Sequence, residues 1–401
     1  MYMKGYFRKR GSAWSFTIDL GPDPVTGKRR QKARSGFPTK RAAEQACAEL
    51  IFQLSKGKYV EEKNITVSRF VEDWITEYKS LNDVKPSSVR QRQYQIRYLI
   101  DRMGALQLKT ISRKLYQTFL IELHDHGFAR TTLQNAHSCY KLIFARAVEQ
   151  ELIAVDPTLY AKLPKKKTSE EEETELPRYM EKEELMSFLR TADTFPDITG
   201  LAFWTMAYTG LRIGELCVLQ WRDIDFEAGT LSVRRTLFNP DDLVGSYQTL
   251  TPKTKTSRRT ISIDKNILDR LEAHRKTQKE TRMRFRSKYH YPDPANEDTG
   301  FIFAREEADF PGYPIVRRLL EYRIKKVLKV VGLPTHYTPH TLRHTHTSLL
   351  AECGVPIEET SERLGHKNDV ITRRIYLHVT QSVKRDSAEK FSALMASVSK
   401  M

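Results

Sequence analysis

Residues 164–177 read PKKKTSEEEETELP, with a proline at each end and blocks of like charge between. Like-charge blocks repel themselves and do not pack, so this stretch reads as a linker, and the chain on either side folds around separate cores. The length of 401 residues agrees, since it suits about two to three domains. Apolar residues make up 39% of the chain, enough to build those cores. The expected organisation is therefore residues 1–60, 64–163, the linker 164–177, and 178–401.

Residues 1–60 hold thirteen Lys/Arg against four Asp/Glu, which is +9 of a formal net charge of +17. A protein this basic meets a polyanion, and charge so concentrated points to the backbone of DNA. WSFTIDLG alternates as a strand does, and PDPVTGK carries turn chemistry. Thr39 can cap a following helix with Ala42, Ala46, Leu50 and Leu54 on one face. The prediction is a small three-stranded sheet backed by one helix. From 64 to 163 the pattern is helical throughout. Val67, Phe70, Val71 and Trp74 open it at helical spacing, and Ser87 or Ser88 can cap the second helix. Four such helices make a compact bundle. Beyond 178 the pattern is mixed α and β, with GTLSVRR, SYQTLTP and RRTISID as short strands.

Other classes are excluded. Cys47, Cys139, Cys217 and Cys353 are far apart and form no C-x-x-C pair, so neither a zinc ribbon nor a disulfide framework is indicated. That suits a reducing compartment. MYMKGYFRKRGS has no apolar run behind its charges, and the greasiest stretch, ITGLAFWTMAYTG, falls short of the roughly 20 residues a membrane helix needs. A cytoplasmic protein with no membrane partner is expected, associated with the nucleoid when bound to DNA.

Four stretches carry chemistry. In PHTLRHTHTSLL, Thr338 and Pro339 suit the start of a helix, and His340 and Arg343 share one face. His340 and His344 are four apart, a metal-ligand spacing. The zincin motif, however, needs Glu where Thr341 stands, and Arg343 on the same face would repel a cation. In TGLRIGELCVLQW, Arg212 follows a glycine turn, Glu215 can pair with it, and Leu211, Leu216 and Leu219 anchor the helix. An arginine so embedded should be paired or hold an anion. In TPKTKTSRRTISI, Lys253 and Lys255 sit where a hairpin would turn. In ERLGHKNDVITRRIYLHV, Gly365 can close one helix, His366 follows, Asn368 or Asp369 can cap the next, and that helix carries Tyr376. Taken singly, each also has a bland reading: a solvated lysine, a core tyrosine, histidines that satisfy backbone groups.

Taken together and in this order, with Tyr376 ten residues after His366, the set resembles the tyrosine recombinases, in particular the lambda-type integrases of temperate phages and integrative conjugative elements. The resemblance implies a multidomain, mainly α fold: an arm-type DNA-binding sheet-plus-helix domain, a four-helix core-binding bundle and a mixed α+β catalytic domain. It implies that Arg212 and Arg343 grip a scissile phosphate with His340 and His366, that Tyr376 is the nucleophile, and that Glu215 braces the site. An ungapped reading favours Lys253 as the catalytic lysine, with Lys255 as the alternative. Two guanidiniums neutralise a phosphate with paired hydrogen bonds better than lysines do. A phenol with a pKa near 10 needs a base or a strongly positive site, for which His340 is the candidate, and the leaving 5′-oxygen needs a proton, which a lysine beside arginines can supply. No metal or cofactor is required. Double-stranded DNA with core- and arm-type sites is the implied partner. Four protomers on two synapsed duplexes, each duplex held in a C-shaped clamp, are implied as well, with Phe391 and Leu394 docking on a neighbour. An excisionase or a host DNA-bending protein would assist. The rivals are a type IB topoisomerase, which shares the chemistry, and a DNA-binding regulator without activity.

Overall fold

The structure is a computed structural model that describes residues 4–22, 27, 29–55, 64–81, 84–164, 179–252, 255–365, 370 and 372–379. Past residue 164, the expected linker lies outside them. The chain divides into two compact units, Met1–Thr168 and Ser169–Met401.

The first unit opens with β1 (Gly5–Arg10), β2 (Ala13–Pro22) and β3 (Arg29–Phe37), an antiparallel sheet in sequence order, followed by α1 (Lys40–Ser55). Gly11, at φ 61°, makes the tight β1–β2 turn. Thr39 Oγ1 accepts from the Ala42 amide at 3.1 Å and caps α1 as the sequence predicts. The buried stripe of α1 is displaced from the expected one. Ala43, Cys47 and Leu50 are buried against Phe16 and Ile18, Ala46 and Leu54 are partly so, and Ala42 is half-exposed. Close approach to β1 selects that stripe, since a Cβ on Gly5 would come within 2.3 Å of Cys47 Sγ.

A second core in this unit belongs to α2 (Val67–Leu81), α3 (Pro86–Met103), α4 (Arg113–Asp125) and α5 (Arg130–Glu149). Val67, Phe70, Val71 and Trp74 are all buried, as their spacing predicts. They pack with Leu99, Phe119, Tyr140 and Phe144, and the Tyr140 hydroxyl donates to the Gln95 carbonyl at 2.8 Å. The expectation that Ser87 or Ser88 caps α3 does not hold. The helix already begins at Pro86, and the Ser88 amide bonds back to the Lys85 carbonyl at 2.8 Å. Proline's fixed φ is pre-organised for the first helical position and sets the boundary instead.

The second unit is the mixed one. Its helices are α6 (Lys182–Asp193), α7 (Thr199–Thr209), α8 (Ile213–Leu216), α9 (Lys265–Arg284), α10 (Arg317–Val331), α11 (Pro339–Glu352), α12 (Ile357–Leu364) and α13 (372–379). Its strands are β4 (Ile224–Asp225), β5 (Thr230–Val233), β6 (Thr236–Phe238), β7 (Gln248–Leu250) and β8 (Arg259–Ser262). α7 is apolar all round and runs through the core, where Phe203 packs with Phe188, Leu216, Phe301 and Leu342. The lysine segment departs from expectation. β6 pairs with β7 and β5 pairs with β8, so the four short strands form one interrupted ribbon. The turn of that ribbon is 239–247, and the described residues 251, 252 and 255–258 belong to the segment between the paired positions Leu250 and Arg259, across from Arg234 and Arg235. Lys255 therefore does not lie at a hairpin turn, and Lys253 lies outside the described residues. The pairs Val233–Arg259 and Thr236–Leu250 leave two residues on one side and eight on the other, and the surplus has to leave the ladder. No helix among the described residues is long and apolar enough to cross a membrane.

Candidate active site

The site is assembled where the ends of α7 and α12 meet the first half of α11. α7 stops at Gly210, whose φ of 64° is left-handed. A Cβ there would come within 2.7 Å of both His346 Cδ2 and Leu364 Cδ2. Glycine thus serves both the turn and the close approach of α11 and α12. The reversal buries Leu211 and leaves Arg212 as the residue before α8, half-buried with extended backbone.

Glu215 lies one turn on and is 4% exposed. Its Oε2 accepts the Arg212 amide at 3.0 Å and its Oε1 accepts Arg212 Nη1 at 2.8 Å. The pairing expected from a spacing of three is therefore present, and Leu211, Leu216 and Leu219 anchor the segment in the core. Glu215 has a second cation that the sequence reading missed. Arg259, at the start of β8, donates Nη2 to Oε2 at 2.9 Å and Nη1 to Oε1 at 3.3 Å. Burial pushes the Glu215 carboxyl up, but Arg259 and then Arg212 outweigh it and hold the group below the usual range. Glu215 is ionised in the folded protein.

Arg343 is 3% exposed on α11. Its Nη1 donates to the Gly210 carbonyl and its Nη2 to the Leu364 carbonyl, each at 2.6 Å. One guanidinium thus bonds to the chain two residues before Arg212 and two residues before His366, fixing the plane of its fork. His340 lies one turn earlier at the solvent-facing edge. Crowding by protein atoms, then the charges of Arg343, Arg212 and Arg317, lower its pKa below the usual histidine range, while Glu215 pulls the other way. Arg212, Arg343 and Glu215 therefore all lie within electrostatic reach of His340. The Thr338 amide donates to Thr341 Oγ1 at 3.0 Å, and Pro339 takes the first helical position, as predicted.

The remaining expected residues are placed as follows. Tyr376 lies on α13, half-buried against a small cluster of Ala351, Ile375 and Val379. Gly365 closes α12 at φ 70° as expected, but His366, Asn368 and Asp369 lie outside the described residues, as do Lys253, Phe391 and Leu394. Lys255 opens a short 3-10 turn, Lys255–Ser257. His344 is half-buried, and no group of three or more His, Cys, Asp or Glu among the described residues could hold a metal ion.

The sequence reading also missed His346 and Arg363. His346 is buried, with Nδ1 bonded to the Ala207 carbonyl at 2.9 Å and Nε2 accepting from Arg363 Nε at 3.2 Å. Arg363 Nη2 also reaches the carbonyls of Tyr208 at 3.2 Å and Ser262 at 3.0 Å. The pair ties the end of α12 to α7 and β8. Burial first, then Arg363, push the His346 imidazole down from 6.5 to about 3. Its donor and acceptor assignment follows, with Nδ1–H donating to Ala207. The unfolded chain takes up this proton below about pH 6.5 and the folded one does not. We therefore expect stability to fall with acidification from there toward about pH 3, by up to about 1.4 kcal/mol per pH unit from this group. Urea titrations of the parent and His346→Gln between pH 7 and 5 check this: the variant should show the shallower slope.

Comparison with known proteins identifies the family. Residues 178–382 match the phage integrase family, 6–54 an arm DNA-binding domain, and 66–124 the N-terminal SAM-like domain of phage integrases. The chain is 28% identical over 399 residues to a "Tyrosine recombinase XerC-like" protein of Caldanaerobacter subterraneus, covering 97% of this chain and 98% of that one. It is 25% identical over 383 residues to the ICEBs1 integrase of Bacillus subtilis, covering 94% and 96%. Among solved structures it resembles the Tn1549 transposon integrase in complex with transposon right end DNA, at a TM-score of 0.63 and 22% identity, over 82% of this chain and all of that one. The fold is the multidomain fold of such integrases. With more than half its length matched to one family, this chain belongs to the phage integrase family and is a site-specific tyrosine recombinase.

Proposed function

We propose that this recombinase cuts and rejoins double-stranded DNA through a covalent 3′-phosphotyrosine, integrating and excising a mobile element. The observation that carries the reading is the Arg343 fork, which bonds the Gly210 and Leu364 carbonyls and so ties the turn before Arg212 and the end of α12 to the helix that carries His340. Arg212, Arg343 and His366 donate to the non-bridging oxygens of the scissile phosphate, where in-line attack concentrates charge. Tyr376 Oη attacks phosphorus, its proton passes to His340, and the bond from phosphorus to the 5′-oxygen breaks. That oxygen takes a proton from Lys253 or, on the alternative reading, Lys255. The lowered pKa of His340 supports its part, because a neutral imidazole accepts a proton at neutral pH. Attack by a 5′-hydroxyl from another strand reverses the steps, and the phosphotyrosine conserves the bond energy without ATP.

Trapping tests this. A nicked duplex carrying the native junction, incubated with the protein in EDTA, should yield a covalent adduct on Tyr376. Cleavage abolished by EDTA would favour a metallohydrolase, and binding without any adduct would favour a regulator.

We assign arm-site binding to residues 1–60, where Arg8, Lys9, Arg10, Arg30 and Arg34 are exposed on β1 and β3, and core-site binding to the bundle and the 178–401 domain. Four protomers on two duplexes, assisted by an excisionase or a host DNA-bending protein, complete the proposal. Deleting residues 1–60 should weaken arm-site binding and flatten its salt dependence, because each phosphate contact contributes about 0.9 to the slope of log K against log salt. Fluorescence titrations from 50 to about 200 mM salt read this, and an unchanged slope would reassign the domain.

A further inference from the structure

We propose that Arg259 is a positioning residue for strand cleavage, holding Arg212 on the phosphate by acting through Glu215. The inference rests on the reading of Arg212 as a phosphate ligand. Arg259 is 9% exposed and its guanidinium bonds in three directions. Nη1 and Nη2 engage both carboxylate oxygens of Glu215 at 3.3 and 2.9 Å, Nε donates to the Arg363 carbonyl at 2.6 Å, and Nη1 also reaches the Ser257 carbonyl at 3.2 Å. Gly365 closes over it, since a Cβ there would lie 3.2 Å from Arg259 Cδ and Nη1. Arg259 thus joins the segment that carries Lys255, the turn before His366, and the carboxylate behind Arg212.

The charge balance explains why a second cation is needed. Glu215 is 4% exposed, and a buried carboxylate with a single partner draws that partner fully onto itself. With Arg259 sharing the charge, Arg212 bonds Oε1 through one terminal nitrogen and keeps its side chain 30% exposed at the site. Without Arg259, Glu215 either captures the Arg212 fork or takes up a proton and stops bracing it. Either outcome moves a phosphate ligand without touching the phosphate.

Single-turnover adduct formation on a nicked core-site duplex, with binding measured separately and rates taken across pH, tests this in the full-length protein. Arg259→Met should slow cleavage by about a hundredfold, the cost of displacing a reacting group by about 1 Å, with core-site affinity unchanged. Its acid limb should move to higher pH, because the Glu215 carboxyl has lost the cation that held it down. Glu215→Gln in the Arg259→Met background should cleave faster than Arg259→Met alone, since a neutral amide needs no second cation. Should Arg259→Met fail to fold, Arg259→Gln, which removes the charge but keeps a hydrogen-bonding head, takes its place in the same comparisons. An equal rate in single and double variants, an unshifted pH profile, or a parallel loss of binding overturns the inference in favour of a structural role. Arg212→Lys separates the two levels. If it cleaves like the parent, the phosphate reading of Arg212 fails. If it is crippled while Arg259→Met is not, the positioning inference alone fails.

Discussion

Tyr376→Phe should form no covalent adduct with DNA at any pH, while it stays folded and its affinity for the same duplex stays at the parent's value. The substitution removes one oxygen and keeps the ring, which is what packs against Ala351, Ile375 and Val379. Loss of a hydroxyl from a half-buried side chain with its packing retained costs at most what one hydrogen bond contributes, about 0.5–1.5 kcal/mol. Chemically the loss is complete, because phenylalanine has no atom that can bond to phosphorus. Denaturing gels of the trapped reaction, paired with gel shifts under native conditions, read both quantities. Adducts that persist in the variant would assign the nucleophile elsewhere, and mapping of the modified peptide would find it.

The second large effect is at Arg343. Arg343→Met should lower the cleavage rate by about a thousandfold or more, comparable to or beyond the removal of one preorganised donor. It should also destabilise the fold, by about 1–3 kcal/mol for each carbonyl left without a donor, here those of Gly210 and Leu364. Arg343→Lys divides the two roles. An ammonium restores the charge but has no planar fork to span two carbonyls while facing a phosphate. Its melting temperature should recover in part, and its cleavage rate should remain at least about a hundredfold down. Denaturant titration and adduct kinetics on the two variants measure this. A lysine variant that cleaves within a few-fold of the parent would mean that charge alone, not the fork, is what the site uses at this position.

These predictions draw on the sequence and the structure unequally. The spacing of Arg212 and Glu215, the Thr338–Pro339 helix start, the Gly365 helix end and the apolar face of α2 were all legible in the sequence, and the structure has each of them. The start of α3 lies two or three residues before the Ser87 or Ser88 cap that the sequence suggests, and the face of α1 holds for Leu50, Ala46 and Leu54 but is shifted toward Ala43 and Cys47. Proline geometry set the first, and the approach of Gly5 to Cys47 set the second. The lysine segment was placed at a hairpin turn because TPKTKTSRRTISI looks locally like one. The true turn is 239–247, and only the strand register reveals that pairing stops at Leu250 and resumes at Arg259.

The sequence alone determined the inventory of reactive groups and the caps and turns that lie within four residues of them, because helix periodicity and capping act over that range. It could not decide which cations face an anion and which are consumed by the backbone. Arg259 meets Glu215 across 44 residues, Arg343 meets Gly210 across 133, and Arg363 meets Ser262 across 101. A buried guanidinium must find acceptors on whatever segments pack around it, and chain separation carries no record of that choice. Only the packing of α7, α11, α12 and β8 settles it.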